Sequence, residues 1–386
     1  MKKIWIISGE ESGDIYGANL ARELRAIAAA KGEELKLSGM GGKRMIAAGV
    51  DVMVDATELG VIGLFEISML IFTFIRIYFQ LVRAAKRERP DAVVLIDYPG
   101  MNLCLAKALH KIGIPVVWYV SPQIWVWNKR RKPVLARVCT RMLVIFPFEV
   151  EVYADTALKT EFVGHPLIDI VKERTDPGIQ RDKDTVLLLP GSRKMEIDRL
   201  LPSMLASITE LKARHPELKF HLSAPREKIA ALCRRTIEKF RRQHPDAAEV
   251  ELSVGDTGYW LQRSICGIAA SGTVTVESAI AGLPLVAGYR LHSFTLLLAA
   301  GLVKLYRGFF VMPNIIAGRE IFQEFLQWRF APKNLVPAVE AILPGGSRRA
   351  EVEAGMDEVR HALSARSGNA AHQAALACYD VAEKGR

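Results

Sequence analysis

A chain of 386 residues, half of it apolar and 24% charged, holds two or three domains with ample core and is not a disordered sequence. Its net charge of +10 favours anionic partners (nucleic acid, phosphorylated substrates or an acidic membrane face) without choosing among them. Five scattered cysteines with no C-x-x-C pair exclude a disulfide framework and a cysteine-rich zinc site, and point to a reducing, cytoplasmic setting.

The Met-Lys-Lys start shows no signal-peptide pattern and leads into Lys3-Ile4-Trp5-Ile6-Ile7-Ser8, a predicted buried strand. The turn Gly9-Glu10-Glu11-Ser12-Gly13-Asp14 and a helix to about Ala30 complete the first βα unit of a parallel sheet. Neither this turn nor Ser38-Gly39-Met40-Gly41-Gly42 matches the dinucleotide fingerprint G-x-G-x-x-G. At the second, Arg44 stands where the third Gly belongs. A dehydrogenase is unsupported, and tight strand–helix packing is the simpler use of both turns.

Residues 61–82 are the most apolar part of the chain. Glu66 and Arg76 interrupt them, and the longest charge-free piece, 67–75, is nine residues. A bilayer span needs about 20, so no transmembrane helix is expected. Two readings fit: a buried core helix, or an exposed surface that dips into a membrane or grips acyl chains. Arg83, Lys86, Arg87 and Arg89 follow at once, and cations beside an apolar surface suit anionic lipid headgroups.

Asp91-Ala92-Val93-Val94-Leu95-Ile96-Asp97 is a strand that ends in an Asp at the carboxyl edge, where open α/β sheets bind ligands. Asn102 is the better placed cap for the following helix, which leaves Asp97 available for chemistry. Val116-Val117-Trp118-Tyr119-Val120 leads into Ser121-Pro122, Trp125, Trp127 and the basic cluster Asn128-Lys129-Arg130-Arg131-Lys132. Aromatics beside cations suit RNA, phospholipid or a solvated helix start, and no nucleic-acid motif supports the first. After the strand Leu143-Val144-Ile145-Phe146, Gly164-His165-Pro166 reads as a hinge with a packed histidine, and the charged stretch 172–184 as the linker.

The second half repeats the pattern. Thr185-Val186-Leu187-Leu188-Leu189 runs into Pro190-Gly191-Ser192-Arg193, which fits a phosphate cradle or an ordinary βα turn with a solvated Arg. Gly267-Ile268-Ala269-Ala270 runs into Ser271-Gly272-Thr273, where small residues and a helix start suit an anion. Glu277 lies one turn in, too far along for a capping box, and could take the two hydroxyls of a ribose. Residues 294–305 predict a very apolar helix, and the tail from about Arg348 is helical. Asp182-Lys183-Asp184 matches a cation-holding D-x-D pattern, but it precedes a strand in the charged linker and reads as surface.

Taken in order, Ser8-Gly9-Glu10-Glu11-Ser12-Gly13-Asp14, Ile96-Asp97-Tyr98-Pro99, Ser121-Pro122 with Trp125 and Trp127, Leu189-Pro190-Gly191-Ser192-Arg193, Ala270-Ser271-Gly272-Thr273 with Glu277, Gly288-Tyr289-Arg290 and Pro313-Asn314 with Ala317-Gly318-Arg319-Glu320 resemble the lipid-A-disaccharide synthase family. The resemblance implies an α/β GT-B fold: two Rossmann-like βα domains whose parallel sheets face across a cleft. Residues 1–170 would form the acceptor and membrane-facing domain and 171–345 the UDP-sugar domain. Residues 346–386 would be C-terminal helices that dock on the first domain or exchange between subunits of a homodimer.

The same resemblance implies an inverting transfer of 2,3-diacylglucosamine from its UDP ester to the 6-hydroxyl of 2,3-diacylglucosamine 1-phosphate (lipid X). The products are a β-1,6 tetra-acyl disaccharide 1-phosphate and UDP. It makes Asp97 the base; Gly191, Ser192, Arg193, Ser271, Gly272, Thr273, Glu277, Arg290 and Asn314 the donor site; and Gly9, Glu11, Ser12 and Gly13 the acceptor-side turn. Leu64, Phe65, Met69, Phe72, Phe74 and Phe79 would meet lipid. No metal, cofactor or nucleic acid is implied, and the setting is the cytoplasmic face of the bacterial inner membrane, with anionic phospholipid as a partner. Family members often carry a second Asp three residues after the first, where this chain has Gly100. Two alternatives are another GT-B enzyme acting on UDP-N-acetylglucosamine and a lipid-binding protein without chemistry.

Overall fold

The computed structural model describes residues 1–56, 67–125, 129–290, 308–365 and 367–385, with side chains left undescribed at 67–71 and 129. Leu64, Phe65, Trp127 and the run 294–305 therefore lie outside the described residues, as does the side chain of Met69. The chain divides into two units: Met1–Pro166 with Leu363–Arg386, and Leu167–Ala362.

Among the described residues the first unit holds seven strands: β1 (Lys2–Ser8), β2 (Leu35–Gly41), β3 (Asp51–Asp55), β4 (Ala92–Ile96), β5 (Val116–Tyr119), β6 (Arg141–Val144) and β7 (Lys159–Phe162). Their order is β3-β2-β1-β4-β5-β6-β7, all parallel. Parallel strands covered on both faces read as continuous apolar runs, and every residue of β4 and β5 is buried. The sheet grows one way from β1 and the other way from β4, so its switch point lies where Ser8 pairs in register with Ile96.

The second unit holds β8 (Thr185–Leu189), β9 (Lys219–Ala224), β10 (Glu251–Val254), β11 (Cys266–Ala270), β12 (Leu285–Tyr289) and β13 (Gln323–Leu326), in the order β10-β9-β8-β11-β12-β13. Its switch point lies between β8 and β11, where Leu189 pairs with Ala269. The unit begins at Leu167, within the helix Pro166–Arg174, so the break falls before the charged stretch 172–184 expected to be the linker. Of the C-terminal helices, Arg349–Leu363 falls almost wholly in the second unit and Ala370–Lys384 in the first. The latter is tied down by His372 and Asn369 to Glu23 (2.8 and 3.0 Å), and by Arg141 to Asp380 (2.7 Å).

The helix Ile67–Glu88 combines the two readings of its sequence. Ile77, Leu81, Ala84 and Ala85 enter the core, at the helical spacing of one face. Phe72, Ile75 and Phe79 stand out on the other, 72%, 46% and 52% exposed. Phe74 departs from its expected lipid-facing role: it turns inward and stacks on Tyr98, ring centroids 5.9 Å apart, because its position shares the core-facing side. Among the described residues no helix is long and apolar enough to cross a membrane.

Candidate active site

At the first switch point the chain leaves β4 into two successive left-handed residues, Asp97 (φ 45°) and Tyr98 (φ 49°). Non-glycine residues rarely adopt that conformation, and Asp is among those that tolerate it best. The bend is held at the backbone. The Asp97 N–H donates to the Tyr119 carbonyl (3.0 Å), and the buried Asn102 amide donates to the Ile96 and Asp97 carbonyls (3.2 and 2.8 Å). Asn102 is thus not the helix cap. Pro99 starts the helix Pro99–Lys111 three residues earlier, and Asn102 fixes the bend from within its first turn.

The Asp97 side chain caps nothing: Tyr98 is the N-cap, without a side-chain bond. Its carboxyl is pushed up to about 6, first by loss of water and then by the negative charge of Glu10, against a hydrogen bond from the Tyr98 backbone. A carboxylate so placed is a strong enough base to take a proton near neutral pH. Gly9 lies under the Tyr98 ring, where any Cβ would come within 2.5 Å of it, so a side chain at 9 would displace the ring beside Asp97. Glu11 and Ser12 are exposed at the open start of the helix Glu11–Ala30. Gly13 is buried instead, and a Cβ there would meet the Ser8 hydroxyl, so close packing requires a glycine at this position. Asp14 accepts from the backbone N–H groups of Gly42, Arg44 and Met45 (2.7, 3.0 and 3.1 Å), which binds this turn to the second glycine turn. Gly100 is exposed, with open space where a side chain would start.

At the second switch point two turns lie side by side. Gly272 and Thr273 are exposed at the start of the helix Thr273–Ala281, whose N-cap is Gly272. The Ser271 N–H donates to the Gly288 carbonyl (2.8 Å), and its hydroxyl to that of Phe310 (3.2 Å). With no side chain capping them, the first N–H groups of this helix suit an anion. Glu277 is two residues past the capping-box position and reaches Arg174 at 3.7 Å. Burial raises its carboxyl, and Arg174 pulls it back.

The neighbouring turn differs from its expected form. The N–H groups of Ser192 and Arg193 donate to Glu196 (3.0 and 3.2 Å), so the carboxylate of the chain's own helix occupies the cradle. Gly191 (φ 111°) packs against that carboxylate. The Arg193 guanidinium is the open group here, 77% exposed, with only a 3.4 Å contact to Glu196.

Two residues of the expected donor site, Arg290 and Asn314, are tied to backbone groups. Arg290 donates to the carbonyls of Gln327, Arg199 and Phe330 (2.9, 2.9 and 2.6 Å), so three of its N–H groups join backbone segments. Asn314 is fully buried. Its oxygen accepts from the Ile321 and Phe322 N–H groups, and its amide donates to the Phe322 carbonyl and to Glu324. Glu324 in turn accepts from the Phe310 and Val311 N–H groups (3.0 and 2.8 Å), so Asn314 shapes the loop beside Ser271 from behind. Asp182 is held by Arg263 (3.0 Å) and Asp184 by Lys219 (2.9 Å). No group of three or more candidate metal ligands occurs among the described residues.

The Lipid-A-disaccharide synthetase family model matches residues 4–378. The chain belongs to the lipid-A-disaccharide synthetase family. Curated relatives carrying the synthase name include those of Koribacter versatilis, 37% identical with the whole of both chains covered, and of Coxiella burnetii, 36% identical over 98% of each. Like them, this member is a glycosyltransferase. Its fold is shared with a UDP-GlcNAc 2-epimerase from Neisseria meningitidis solved with UDP-GlcNAc (TM-score 0.59, 13% identity, 100% of both chains). It is also shared with the glycotransferase of kitacinnamycin (TM-score 0.60, 15%, 98% of both).

Reading the sequence also missed a carboxyl of this synthetase chain near Asp97. Glu149 starts the short helix Glu149–Val152 after β6, 1% exposed, and accepts from the Trp125 indole (3.3 Å) and the Phe146 N–H (3.3 Å). Burial pushes it up to about 8, and the charge of Asp97 adds to that. The signal was present: like Asp97, it is an acid just past an apolar strand. His165 is packed against Phe146, and burial pushes its ring down to about 3.

Proposed function

We propose that this enzyme joins two diacylated glucosamines. It transfers 2,3-diacylglucosamine from UDP-2,3-diacylglucosamine to the 6-hydroxyl of 2,3-diacylglucosamine 1-phosphate, with inversion. The observation that carries this reading is the Asp97 carboxylate, desolvated, free of structural duty and fixed at a switch point. In the proposed step the acceptor oxygen attacks the anomeric carbon and its proton passes to Asp97. The bond to UDP breaks, and its electron pair goes to the β-phosphate oxygen. One base suffices for a single displacement, and a positive cradle can replace a general acid for so good a leaving group. The open helix start at Gly272–Thr273 and Arg193 supply that charge in place of a divalent cation, and Glu277 takes the ribose hydroxyls. Glu11 and Ser12 line the acceptor side.

The exposed ridge of Phe72, Ile75 and Phe79 supports work at a lipid surface, as a peripheral protein on the cytoplasmic face of the inner membrane. The test mixes the protein with both lipids in detergent, with EDTA, and looks for the disaccharide by mass spectrometry. Product supports both the reaction and its independence of metal. Product only with added cation overturns the second part. No product under either condition, with UDP still bound, overturns the first and favours a soluble sugar-nucleotide reaction.

A further inference from the structure

Three neighbouring strands, β4, β5 and β6, end side by side at the edge that carries Asp97, and the loops beyond them are laced together. The Asp97 N–H is held by the carbonyl of Tyr119, the last residue of β5. The next residue, Val120, is left-handed (φ 68°), a conformation that a β-branched side chain rarely allows. Its N–H donates to the Leu143 carbonyl of β6 (3.0 Å), and its carbonyl accepts from the Trp118 indole (3.1 Å). Such strain persists only where surrounding groups over-determine it. Further along, the Trp125 indole donates to one oxygen of Glu149 (3.3 Å), and the Phe146 N–H to the other (3.3 Å). The Phe146 bond is a local turn contact. The Trp125 bond is not: it spans 24 residues and joins the loop after β5 to the loop after β6. The Phe148 ring packs edge-on to Trp125 (5.1 Å) and stacks on Phe146 (5.7 Å), and Glu149 is 1% exposed in this cluster. An apolar residue there would avoid the cost of burying a carboxyl, but it could not join the two loops.

We propose that Glu149 is a positioning residue for Asp97: it clamps the loop after β5 and so fixes the strand end that sets the Asp97 bend. This deepens the function proposed above and rests on Asp97 being its base. Asp97, Tyr153 and His165 face the cluster, and none brings it a cation. The Tyr153 hydroxyl bonds that of Ser121 (2.9 Å) and is pushed up by burial and then by the Glu149 charge. His165, against Phe146, is pushed down by burial and stays neutral. Burial, helped by the charge of Asp97, keeps the proton on Glu149 at neutral pH, so the clamp adds no second charge beside the base.

The test compares E149Q, which keeps an oxygen for the Trp125 indole, with E149A, which keeps none. In E149A kcat should fall roughly tenfold to a hundredfold, while the dissociation constant of UDP stays within about twofold of wild type. The acid limb of kcat/KM should move down from about 6 towards the ordinary carboxylate range near about 4, as water reaches Asp97. E149Q should return kcat to within about threefold of wild type and leave that limb in place. W125F should reproduce part of the E149A loss, and W125F/E149A should be no worse than E149A, because both changes break one bond. A merely structural role would lower stability and leave the acid limb of E149A unmoved, which overturns the proposal. Additive losses in the double variant also overturn it, as does loss of UDP binding together with turnover. An E149Q as slow as E149A overturns it too, by giving the carboxyl itself a part in the chemistry. Circular dichroism guards against unfolding, and W125F, which leaves the carboxyl in place, carries the same readouts if E149A does not fold. Asp97 is also titrated without turnover, through the protonated-carboxyl infrared band that D97N removes. Its midpoint should fall in E149A and hold in E149Q. Absence of disaccharide from wild type overturns the reaction and an unmoved midpoint in E149A overturns the clamp, so the two failures are distinguishable.

Discussion

At the first switch point a carboxyl group is deprived of water and set near other carboxyls, Glu10 and Glu149. At the second, a helix start is left uncapped by any side chain and an arginine stands open beside it. The topology is the same in both units, a parallel sheet that reverses its growth, but the electrostatics are opposite. The first arrangement raises the proton affinity of an acid, and the second attracts an anion. A similar backbone can therefore serve proton transfer in one unit and phosphate binding in the other, depending on whether the strand ends in an acid or in small residues followed by an uncapped helix.

The sharpest way to break this comparison is to neutralise each side in turn. D97N keeps a residue that tolerates the left-handed backbone but removes the base. It should lower turnover by a hundredfold or more while leaving UDP affinity nearly unchanged. R193Q should do the reverse, weakening UDP by roughly tenfold to a hundredfold, as expected for a charge-assisted contact, with a smaller effect on acceptor binding. If both variants lose the same property, the division of labour is wrong.

The pH dependence sharpens the first side. The Asp97 carboxyl must be ionised to act, so kcat/KM should rise about tenfold per pH unit below about 6 and level off above it. Stability should run the other way. The folded state holds that proton up to about 6 and the unfolded chain only to about 4. Stability from this group is therefore complete below pH 4 and lost as pH rises through 6. D97N should be the more stable protein at pH 8, by up to about 3 kcal/mol in denaturant unfolding. Glu149 follows the same sign over a window from about 4.5 to about 8, so E149Q should flatten the decline of stability across that range.

The smallest expected effect concerns Phe74. F74L keeps its bulk but loses the stacking on Tyr98, and should cost about 1 kcal/mol of stability and a few-fold in turnover, with UDP binding untouched. Loss of vesicle binding instead would return Phe74 to the lipid-facing ridge.

The strands and both switch points were legible because fully buried parallel strands carry unbroken apolar runs that end in small residues or acids. Position made Asp97, Gly272 and Glu277 candidates, and the family resemblance supplied the roles proposed for them. Arg290 and Asn314 could not be resolved, because their partners are backbone groups supplied by segments distant in sequence, and nothing local marks a guanidinium as already engaged. Glu196 was readable in principle, since it stands three residues after the N-cap Arg193. The start of the helix at Pro99 was readable too, from proline's preference for the first helical position. The helix Ile67–Glu88 shows a different limit: its hydrophobicity said that some face is buried, and only the fold decides that Phe74 turns inward while Phe72 and Phe79 do not.

The most direct test of the account is UDP titration calorimetry on D97N, run beside its turnover with both lipid substrates. The account predicts a dissociation constant within about twofold of wild type and turnover at least about a hundredfold lower. Turnover close to wild type, or UDP binding lost together with turnover, would contradict it.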